Sequence, residues 1–480
     1  MLRRTKIIAT LGPSTNTPEK VHALIEAGVN VIRFNFSQST NEEHIKRALW
    51  VRQSAKSLGK FIAILGDLQG PKIRIGDLES DVNLEDNQTF ILDCSAQSFI
   101  GDNKKVWVNL PSLCQDSKPN DVFLLDNGKI KLQVTKINDS QLICSVTSGG
   151  LLTSHTSINK QGGGLNTNSL TKKDLQDLQL AQKIGCDYIG LSFVKHADDI
   201  INARFELEKI GSHAEIIAKI ERAEAVRDYQ ILDDIILASD AVLIGRGDLG
   251  VEIGDAELIG VQKHIIERAR QLDRVVITAT QMMESMVSNP TPTRAEIFDV
   301  ANAVLDGTDC VMLSAETAEG RFPIETIQAV NEACVGAQRQ KKATTSTHRI
   351  NRQFTQIDEA IAMSAMYAAN HLKGVKAIIC LTESGSTPLW MSRISSGLPI
   401  YALSRHNTTL NKVALYRGVQ AIEFDVTKVA PNQLNRHCVE ELKQRNIVKD
   451  GDLVIVSKGD HTGIHDTTNS IKIVCCGNIL

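Results

Sequence analysis

The stretch KIIATLGPSTNTPEKVHALIEAGVNVIRFNF, residues 6–36, begins an alternation of strand and helix that decides the fold. The apolar runs Lys6–Leu11 and Val29–Phe36 each predict a strand. Between them Thr17-Pro18 favours the start of a helix and Gly28 favours its end. Strand, helix and strand in this order are typical of parallel pairing in an α/β domain.

The alternation continues after one interruption, and its full count predicts a (β/α)8 TIM barrel. Residues 41–58 and 61–67 predict the next helix and the third strand. From Gly70 to about Gly164 the pattern changes to period-two runs with turn signals, which indicate an inserted β domain. Five further pairs of strand and helix are predicted up to Gln338, which makes eight, the number that closes such a barrel.

A second α/β domain is predicted beyond a polar linker at Gln338–His348. Strands and helices alternate again from residue 358 to a last strand near 470–475, which predicts a smaller open sheet. The predicted fold class is therefore α/β, a TIM barrel with an inserted β-barrel domain and a C-terminal open α/β domain. We set the domain bounds at 1–69 and 166–340 for the barrel, 70–165 for the insert and 352–480 for the C-terminal domain.

Composition argues against several classes of function. The 53 Lys and Arg nearly balance the 56 Asp and Glu, and aromatic residues make up only 4% of the 480 residues, so no nucleic-acid partner is expected. No apolar run approaches the ~18 residues of a membrane span, and no secretory signal is visible. The ten cysteines show no CxxC spacing and suit reduced thiols, so we expect a cytoplasmic protein without a membrane anchor.

Polar side chains gather where the predicted barrel strands end, the face on which barrel enzymes place their active sites. They are Arg33, Asn35, Ser37, Asp67, Lys219, Glu221, Arg246, Asp248, Thr278, Thr280, Gln281, Ser314 and Glu316. Converging from so many strands, this set predicts one catalytic mouth with several cations and carboxylates.

Two of these carboxylates predict a metal site. Glu221 and Asp248 end neighbouring strands, where they can share a hard divalent cation such as Mg²⁺. Zinc is disfavoured because no His or Cys stands beside them in the sequence. Arg33, Lys219 and Arg246 would supply positive charge for phosphate oxygens. Three functions stay open from the residues alone: an enzyme acting on a phosphorylated enol or sugar acid, a sugar-phosphate sensor impaired in catalysis, and a carbon–carbon lyase.

Six motifs carry a resemblance to a known family. They are KIIATLGP at 6–13, RFNFS at 33–37, GDLQGPKIR at 66–74, RGDLG at 246–250, ITATQM at 277–282 and NPTPTRAE at 289–296. Together they resemble pyruvate kinase over essentially the whole chain, in the bacterial, AMP- or sugar-phosphate-activated type. The resemblance implies Mg²⁺- or Mn²⁺-dependent phosphoryl transfer from phosphoenolpyruvate to ADP, giving pyruvate and ATP at the end of glycolysis. It also implies a homo-oligomer, usually a tetramer.

The resemblance assigns roles to residues of the barrel mouth. Lys219 would stabilise the moving phosphoryl group, and Arg33 would contact the substrate phosphate. Thr280 would lie where the enolate carbon is protonated, and Gly247 and Asp248 would line the substrate. The inserted domain would be a lid that excludes water during transfer.

The family's K⁺ site is only partly matched. By resemblance Asn35, Ser37 and Asp67 would bind K⁺, but Leu68 stands where a threonine usually supplies a further ligand. Lys72 stands where K⁺-dependent members have glutamate, and its ammonium could take the place of the monovalent cation. We therefore hypothesise activity without K⁺.

The nucleotide contacts are also only partly matched. Arg74 and Asn35 would contact the nucleotide by resemblance, but Thr156 occupies the position of a nucleotide-contacting lysine in the lid. Lys160 is four residues away, more than ten ångströms at ~3.3 Å per residue of extended chain. We expect weaker ADP binding with the chemistry retained.

A turn in the C-terminal domain predicts an effector site. Its residues are Thr382, Glu383, Ser384, Gly385, Ser386 and Thr387. The hydroxyls and N–H groups of this turn, between a strand and a helix, can bind an anion, although a plain helix cap fits them as well. The family has an allosteric phosphate site here, so a sugar phosphate or AMP is the expected activator.

Overall fold

The computed structural model describes residues 2–344, 352–460 and 468–478. They form a closed eight-stranded parallel barrel, an additional β domain inserted in it, and a C-terminal α/β domain. The predicted fold class is confirmed. The predicted linker lies partly outside the described residues, from 345 onward.

The opening stretch folds as its pattern predicts. Its elements are β1 (Lys6–Thr10), α1 (Pro18–Ala27), β2 (Val31–Asn35), α2 (Asn41–Ser57) and β3 (Ala63–Asp67). The hydroxyl of Thr17 accepts a hydrogen bond from the Lys20 N–H, which caps the first turn of α1, and Pro18 is its first residue. The strands are fully buried at most positions because helices cover the outside of the barrel.

The inserted domain, here called the lid domain, has its own sheet and core. Its strands are β4 (Val82–Leu84), β5 (Thr89–Asp93), β6 (Lys105–Trp107), β7 (Val122–Leu125), β8 (Ile130–Asn138), β9 (Gln141–Ser148), β10 (Gly150–Leu152) and β11 (Ile158–Lys160). Six of them form a sheet in the order β11-β7-β8-β9-β5-β6, and β4 pairs with β10. Phe90, Phe123 and Leu132 are completely buried within it, so the domain has an apolar interior separate from that of the barrel.

Five strand and helix units then complete the barrel. They are α3 (Lys172–Ile184), β12 (Tyr188–Leu191), α4 (Ala197–Lys209), β13 (Glu215–Ile220), α5 (Glu224–Arg227), α6 (Tyr229–Ala238), β14 (Ala241–Gly245), α7 (Arg246–Ile253), α8 (Asp255–Gln271), β15 (Val275–Ala279), α9 (Arg294–Asp306), β16 (Cys310–Leu313), α10 (Ala315–Ala318) and α11 (Pro323–Gln338). The barrel closes in the order β1-β16-β15-β14-β13-β12-β3-β2.

Two helices differ from the sequence prediction. The single helix expected over 223–239 is broken at Asp228, whose backbone is extended and whose side chain accepts from the Gln230 N–H to cap α6. Helix α7 was not predicted, because the glycines at 247 and 250 weaken its helical signal. This helix matters for function because it begins at the barrel mouth.

The C-terminal domain covers the opposite end of the barrel. Its elements are α12 (Ile357–His371), β17 (Val375–Leu381), α13 (Ser386–Ser392), β18 (Ile400–Ser404), α14 (Asn407–Lys412), β19 (Val419–Glu423), α15 (Leu434–Gln444), β20 (Leu453–Gly459) and β21 (Thr468–Cys475). The sheet order is β19-β18-β17-β20-β21, with only β21 antiparallel. The buried guanidinium of Arg393 pairs with Asp309 at 2.5 Å and ties this domain to the barrel.

Among the helices in the described ranges, none is long and apolar enough to cross a bilayer.

Candidate active site

The centre of the barrel mouth is a buried row of alternating charges. Arg33 Nη2 lies 2.6 Å from Asp67 Oδ2, and Lys219 Nζ lies 3.2 Å from the other carboxylate oxygen. Lys219 Nζ is also 3.0 Å from Glu221 Oε1. The structure thus brings together four of the residues that the strand ends predicted, on β2, β3, β13 and the residue after it.

The ionisation of this row follows from its burial and its neighbours. Burial disfavours the charged form of Lys219, but Asp67 and Glu221 outweigh it, so the pKa of Lys219 lies above its ordinary value. Burial also opposes the charge of Asp67, yet Lys219 and Arg33 hold the pKa of that carboxyl below its ordinary value. Lys219 and Asp67 are therefore both charged at neutral pH, and 12% of the Lys219 side chain remains exposed to the mouth.

The position of Lys219 depends on a residue that sequence reasoning missed. Its ammonium donates a hydrogen bond of 2.8 Å to Ser192 Oγ, just after β12, and Ser192 donates in turn to the Leu68 carbonyl. The next residue, Phe193, has φ +59° and donates its N–H to Glu221 Oε2 at 3.0 Å. A positive φ is rare for an aromatic residue and marks this segment as part of a functional site. The angle cannot be predicted from the sequence, so the segment was missed.

Glu221 and Asp248 form a carboxylate pair suited to a divalent cation. Burial raises the pKa of Glu221, and the negative charges of Asp248 and Asp67 raise it further. The ammonium of Lys219 lowers this pKa but does not outweigh them. A cation between the two carboxylates would relieve that repulsion, and oxygen-only ligands suit Mg²⁺ or Mn²⁺. No cluster of three or more His, Cys, Asp or Glu ligands occurs in the described part of the chain. Residue 245 must be glycine, because a Cβ there would lie 2.5 Å from Glu221 Cγ.

The predicted role of Arg246 in phosphate binding is wrong. Its guanidinium is buried and paired with Asp299 at 2.7 Å, and it donates to the carbonyl oxygens of Ala279 and Thr280. A cation with these partners is not directed at a ligand in the mouth. Arg246 instead supports the turn that carries Thr280, a function that depends on Asp299 and could not be found without the fold.

Thr280 sits in a strained turn beside the start of α7. Its φ is +67°, which is a genuine outlier for a β-branched residue. Its hydroxyl donates to the Ala279 carbonyl at 2.6 Å and accepts from the Gly247 N–H at 3.0 Å. The structure therefore joins Thr280 and Gly247 directly at the barrel mouth.

The residues expected at a K⁺ site lie at the ends of β2 and β3. Asn35 Oδ1 accepts from both the N–H and the hydroxyl of Ser37, and Asp67 Oδ1 is buried without a hydrogen bond although Lys219 is near it. Leu68 is buried and offers no side-chain oxygen. Lys72 contacts a different carboxylate, since its ammonium lies 3.2 Å from Asp248 Oδ1.

The lid residues expected near the nucleotide lie together at its base. Arg74 donates to the His155 carbonyl at 3.0 Å, next to Thr156. The Thr156 hydroxyl donates to the Thr153 carbonyl at 2.7 Å. Lys160 cannot replace the missing lysine, because its ammonium is held inside the lid domain by Asp121 at 2.8 Å.

The expected effector turn is closed by its own hydrogen bonds. Gly385 donates its N–H to Thr382 Oγ1 at 2.9 Å, and the hydroxyls of Ser384 and Ser386 are 2.9 Å apart. Thr387 Oγ1 lies 3.0 Å from Thr468 Oγ1 on β21. Sequence reasoning missed two side chains beside the turn: Arg405 and His406 both contact the Glu383 carboxylate, at 3.1 and 2.6 Å.

Comparisons with known proteins agree with this geometry. Residues 2–327 match the family model described as pyruvate kinase, barrel domain, and residues 359–474 match that of the pyruvate kinase alpha/beta domain. The chain belongs to the pyruvate kinase family. It is 53% identical over 473 residues to a pyruvate kinase of Buchnera aphidicola subsp. Baizongia pistaciae, with 98% of each chain covered. It is 52% identical over 475 residues to pyruvate kinase II of Salmonella typhimurium, again with 98% of each chain covered.

A solved structure of a pyruvate kinase from Cryptosporidium parvum matches the fold with a TM-score of 0.92 at 31% identity, covering 99% of this chain and 96% of that one. Membership of the pyruvate kinase family confirms that the chain is an enzyme of the transferase class and favours neither the sensor nor the lyase alternative.

Proposed function

We propose that this pyruvate kinase transfers the phosphoryl group of phosphoenolpyruvate to ADP, giving pyruvate and ATP. The observation that carries the proposal is the position of Lys219, a charged ammonium between Asp67 and Glu221 at the mouth of the barrel. Phosphoryl transfer is catalysed mainly by fixed positive charge directed at the equatorial oxygens of the moving group. Arg33, oriented by Asp67 and by Thr10 Oγ1 at 3.0 Å, would bind the substrate phosphate.

Glu221 and Asp248 would hold Mg²⁺ or Mn²⁺, which when bound supplies charge neutralisation for the phosphate and enolate oxygens. The protein's own part is to set those carboxylates. Glu221 is fixed by the Phe193 N–H and by Lys219, and Asp248 lies in the first turn of α7. Any movement of β13 against α7 would therefore change the site for the cation.

Thr280 and Gly247 would act on the enolate that remains after transfer. The enol oxygen gives up the phosphoryl group to ADP, and the methylene carbon of the enolate must then take a proton to become the methyl group of pyruvate. The Thr280 hydroxyl is fixed between the Gly247 N–H and the Ala279 carbonyl, where it can orient a water that delivers this proton. Arg246 and Asp299 hold the turn in place.

The lid domain and the monovalent site complete the proposal. Arg74 and Asn35 would contact the nucleotide, and Thr156 in place of lysine would weaken ADP binding. Asn35, Ser37 and Asp67 would bind K⁺ where it is used, but Lys72 supplies a tethered positive charge in the mouth and makes K⁺ dispensable.

Regulation and assembly are proposed from the sequence and its family. The turn Thr382–Thr387 would bind a phosphorylated effector, AMP or a sugar phosphate, with Arg405 and His406 exchanging Glu383 for the phosphate. The enzyme would work as a homotetramer in the cytoplasm, and all ten cysteines are free thiols. We also propose the domain bounds predicted from the sequence: 1–69 and 166–340 for the barrel, 70–165 for the insert and 352–480 for the C-terminal domain.

The test is pyruvate formation from phosphoenolpyruvate with Mg²⁺, with and without ADP, measured together with ATP. We expect equal amounts of pyruvate and ATP, strictly dependent on ADP. Pyruvate released without ADP would indicate a hydrolase or lyase, and binding of ribose 5-phosphate without any turnover would indicate the impaired sensor.

A further inference from the structure

Both connections between the lid domain and the barrel rest on one short helix. Lys72, on the outgoing connection, pairs with Asp248 at 3.2 Å, and Gly162, on the return connection, donates its N–H to the Glu252 carbonyl at 2.9 Å. Asp248 and Glu252 are four residues apart on α7 and therefore lie on the same face of that helix. One face of α7 thus contacts both ends of the lid.

The Glu252 side chain is buried among polar partners rather than exposed. Only 1% of the residue is accessible. Its Oε2 accepts from the Ala223 N–H at 2.8 Å, and its Oε1 lies 3.2 Å from Arg222 Nε and 3.3 Å from Asn159 Nδ2. Glu252 therefore joins the return strand of the lid to the loop that directly follows Glu221.

Arg222 and Glu224 hold the rest of the return connection. Arg222, 3% accessible, pairs with Glu224 Oε1 at 3.2 Å and donates to the Leu165 carbonyl. Glu224 Oε1 accepts from the Gly164 N–H at 2.6 Å. At Gly163, whose φ is +73°, a Cβ would overlap the Glu224 carboxylate, so the backbone approaches closely only because the residue is glycine.

We propose that Glu252 and Arg222 are positioning residues that hold the return connection of the lid on α7 and thereby set how the lid meets the nucleotide. The side-chain contacts described for these two residues lead to each other, to Glu224, to Asn159 and to the backbone of Ala223 and Leu165. Burying an arginine and a carboxylate adds little net stability over an apolar pair, so we assign this pair a role in the relative orientation of the parts that it joins. Here those parts are the loops behind both proposed metal ligands and the return strand of the lid.

The proposal rests on the proposed function, and it predicts a specific kinetic pattern for Glu252→Gln. The lid would contribute to ADP binding, whereas the barrel would bind phosphoenolpyruvate. We expect the KM for ADP to rise about tenfold and the KM for phosphoenolpyruvate to change by less than about twofold. Arg222→Lys keeps the charge and should give an intermediate KM for ADP, while Arg222→Met should match Glu252→Gln.

A second measurement does not depend on the reaction. In the unliganded full-length enzyme, the amides of Gly162 and Gly164 should exchange with deuterium faster in Glu252→Gln than in wild type, because their acceptors are no longer fixed. Asp309→Asn is the matched control, since it breaks another buried pair, with Arg393, away from the lid. It should lower Tm and leave both KM values and the exchange at 162–164 unchanged.

Two results would overturn the proposal. One is a Glu252→Gln enzyme that loses only kcat, with both KM values as in wild type, because that pattern reports fewer folded molecules. The other is unchanged amide exchange at 162–164. Faster exchange together with a wild-type enzyme lacking ADP-dependent turnover would support the contact to the lid and reject the proposed function instead.

Discussion

Lys72 Nζ lies 3.2 Å from Asp248 Oδ1, so a lysine of the lid's outgoing connection neutralises one of the two carboxylates proposed for the divalent cation. The ammonium also lies 5.8 Å from the centre of the Phe193 ring. About a quarter of each side chain is exposed, which screens the pair and leaves the lysine able to exchange partners. The mouth therefore holds a positive charge that is tethered to the chain and lies beside Asp248.

We expect the wild-type enzyme to turn over in a buffer free of K⁺ and Na⁺. In Lys72→Glu the tethered cation is replaced by a carboxylate beside Asp248, so activity should become dependent on added KCl. The measurement compares initial rates with and without KCl, and tetramethylammonium chloride keeps the ionic strength constant. Lys172→Met, on the neighbouring helix α3, is the control and should stay independent of K⁺. Strict K⁺ dependence of the wild type would reject the role of Lys72.

Lys219→Ala should lower kcat by about 10³ to 10⁵, because it removes fixed charge from the moving phosphoryl group. The fold should survive, since Asp67 keeps its 2.6 Å pair with Arg33. Steady-state rates and the circular dichroism spectrum check both statements. Lys209→Ala, an exposed lysine paired with Glu206, should be indistinguishable from wild type. Near-normal turnover of Lys219→Ala would disprove its assignment.

The sequence was sufficient for the barrel and for most of the mouth, for a physical reason. Apolar runs and helix caps are local signals, and the rule that parallel strands end at one face then places Arg33, Asp67, Lys219 and Glu221 together without further information. Nothing in that reasoning required knowledge of a side-chain partner.

The side-chain contacts that the sequence did not predict at the site involve partners that are distant in sequence, whereas the break at Asp228 and helix α7 were missed for local reasons. Arg246 is at a strand end, as predicted, but Asp299, 53 residues later, turns it away from the substrate. Ser192 orients Lys219 from another strand, and Arg405 reaches Glu383 from the strand beside it. The local sequence determines where a residue lies along a strand. The direction of a long charged side chain depends instead on which opposite charge the fold brings near it.

Thr156→Lys should lower the KM for ADP several-fold, in the range of about 1 kcal/mol for an exposed charge contact. Thr156 is half-buried beside the backbone that Arg74 contacts, so a lysine there extends from the same part of the lid. The measurement is the KM for ADP at saturating phosphoenolpyruvate. Thr147→Lys adds the same charge at an exposed site on β9 and should have no effect. An unchanged KM in Thr156→Lys would contradict the expectation.

Lys6 should make stability depend on pH. Burial lowers the pKa of Lys6 to about 7, with Arg3 acting in the same direction, and its ammonium contacts the Val419 carbonyl. The unfolded chain, with a lysine pKa near 10.5, binds this proton more tightly than the folded one, so stability should rise between about pH 7 and pH 10.5. Each pKa unit is worth about 1.4 kcal/mol.

In Lys6→Met that contribution to the rise should disappear, and the protein should be more stable than wild type at pH 7. The free energy of unfolding in urea, measured at several pH values, checks this. Lys449→Met, an exposed lysine of the C-terminal domain, should keep the wild-type slope. Identical slopes for wild type and Lys6→Met would show that Lys6 is charged alike in both states.

Ser384→Asp should abolish activation by ribose 5-phosphate or AMP and leave basal turnover unchanged. The new carboxylate would stand beside Glu383, so the turn would repel a phosphate while Arg405 and His406 stay engaged with carboxylates. The turn belongs to the C-terminal domain, which contacts the barrel where its strands begin, at Asp309 and Glu215, so the basal reaction should not be affected. Asn432→Asp adds the same charge at an exposed site of that domain and should be activated normally. Rates at subsaturating phosphoenolpyruvate, over a titration of each effector, separate the two variants, and normal activation of Ser384→Asp would exclude this turn as the site.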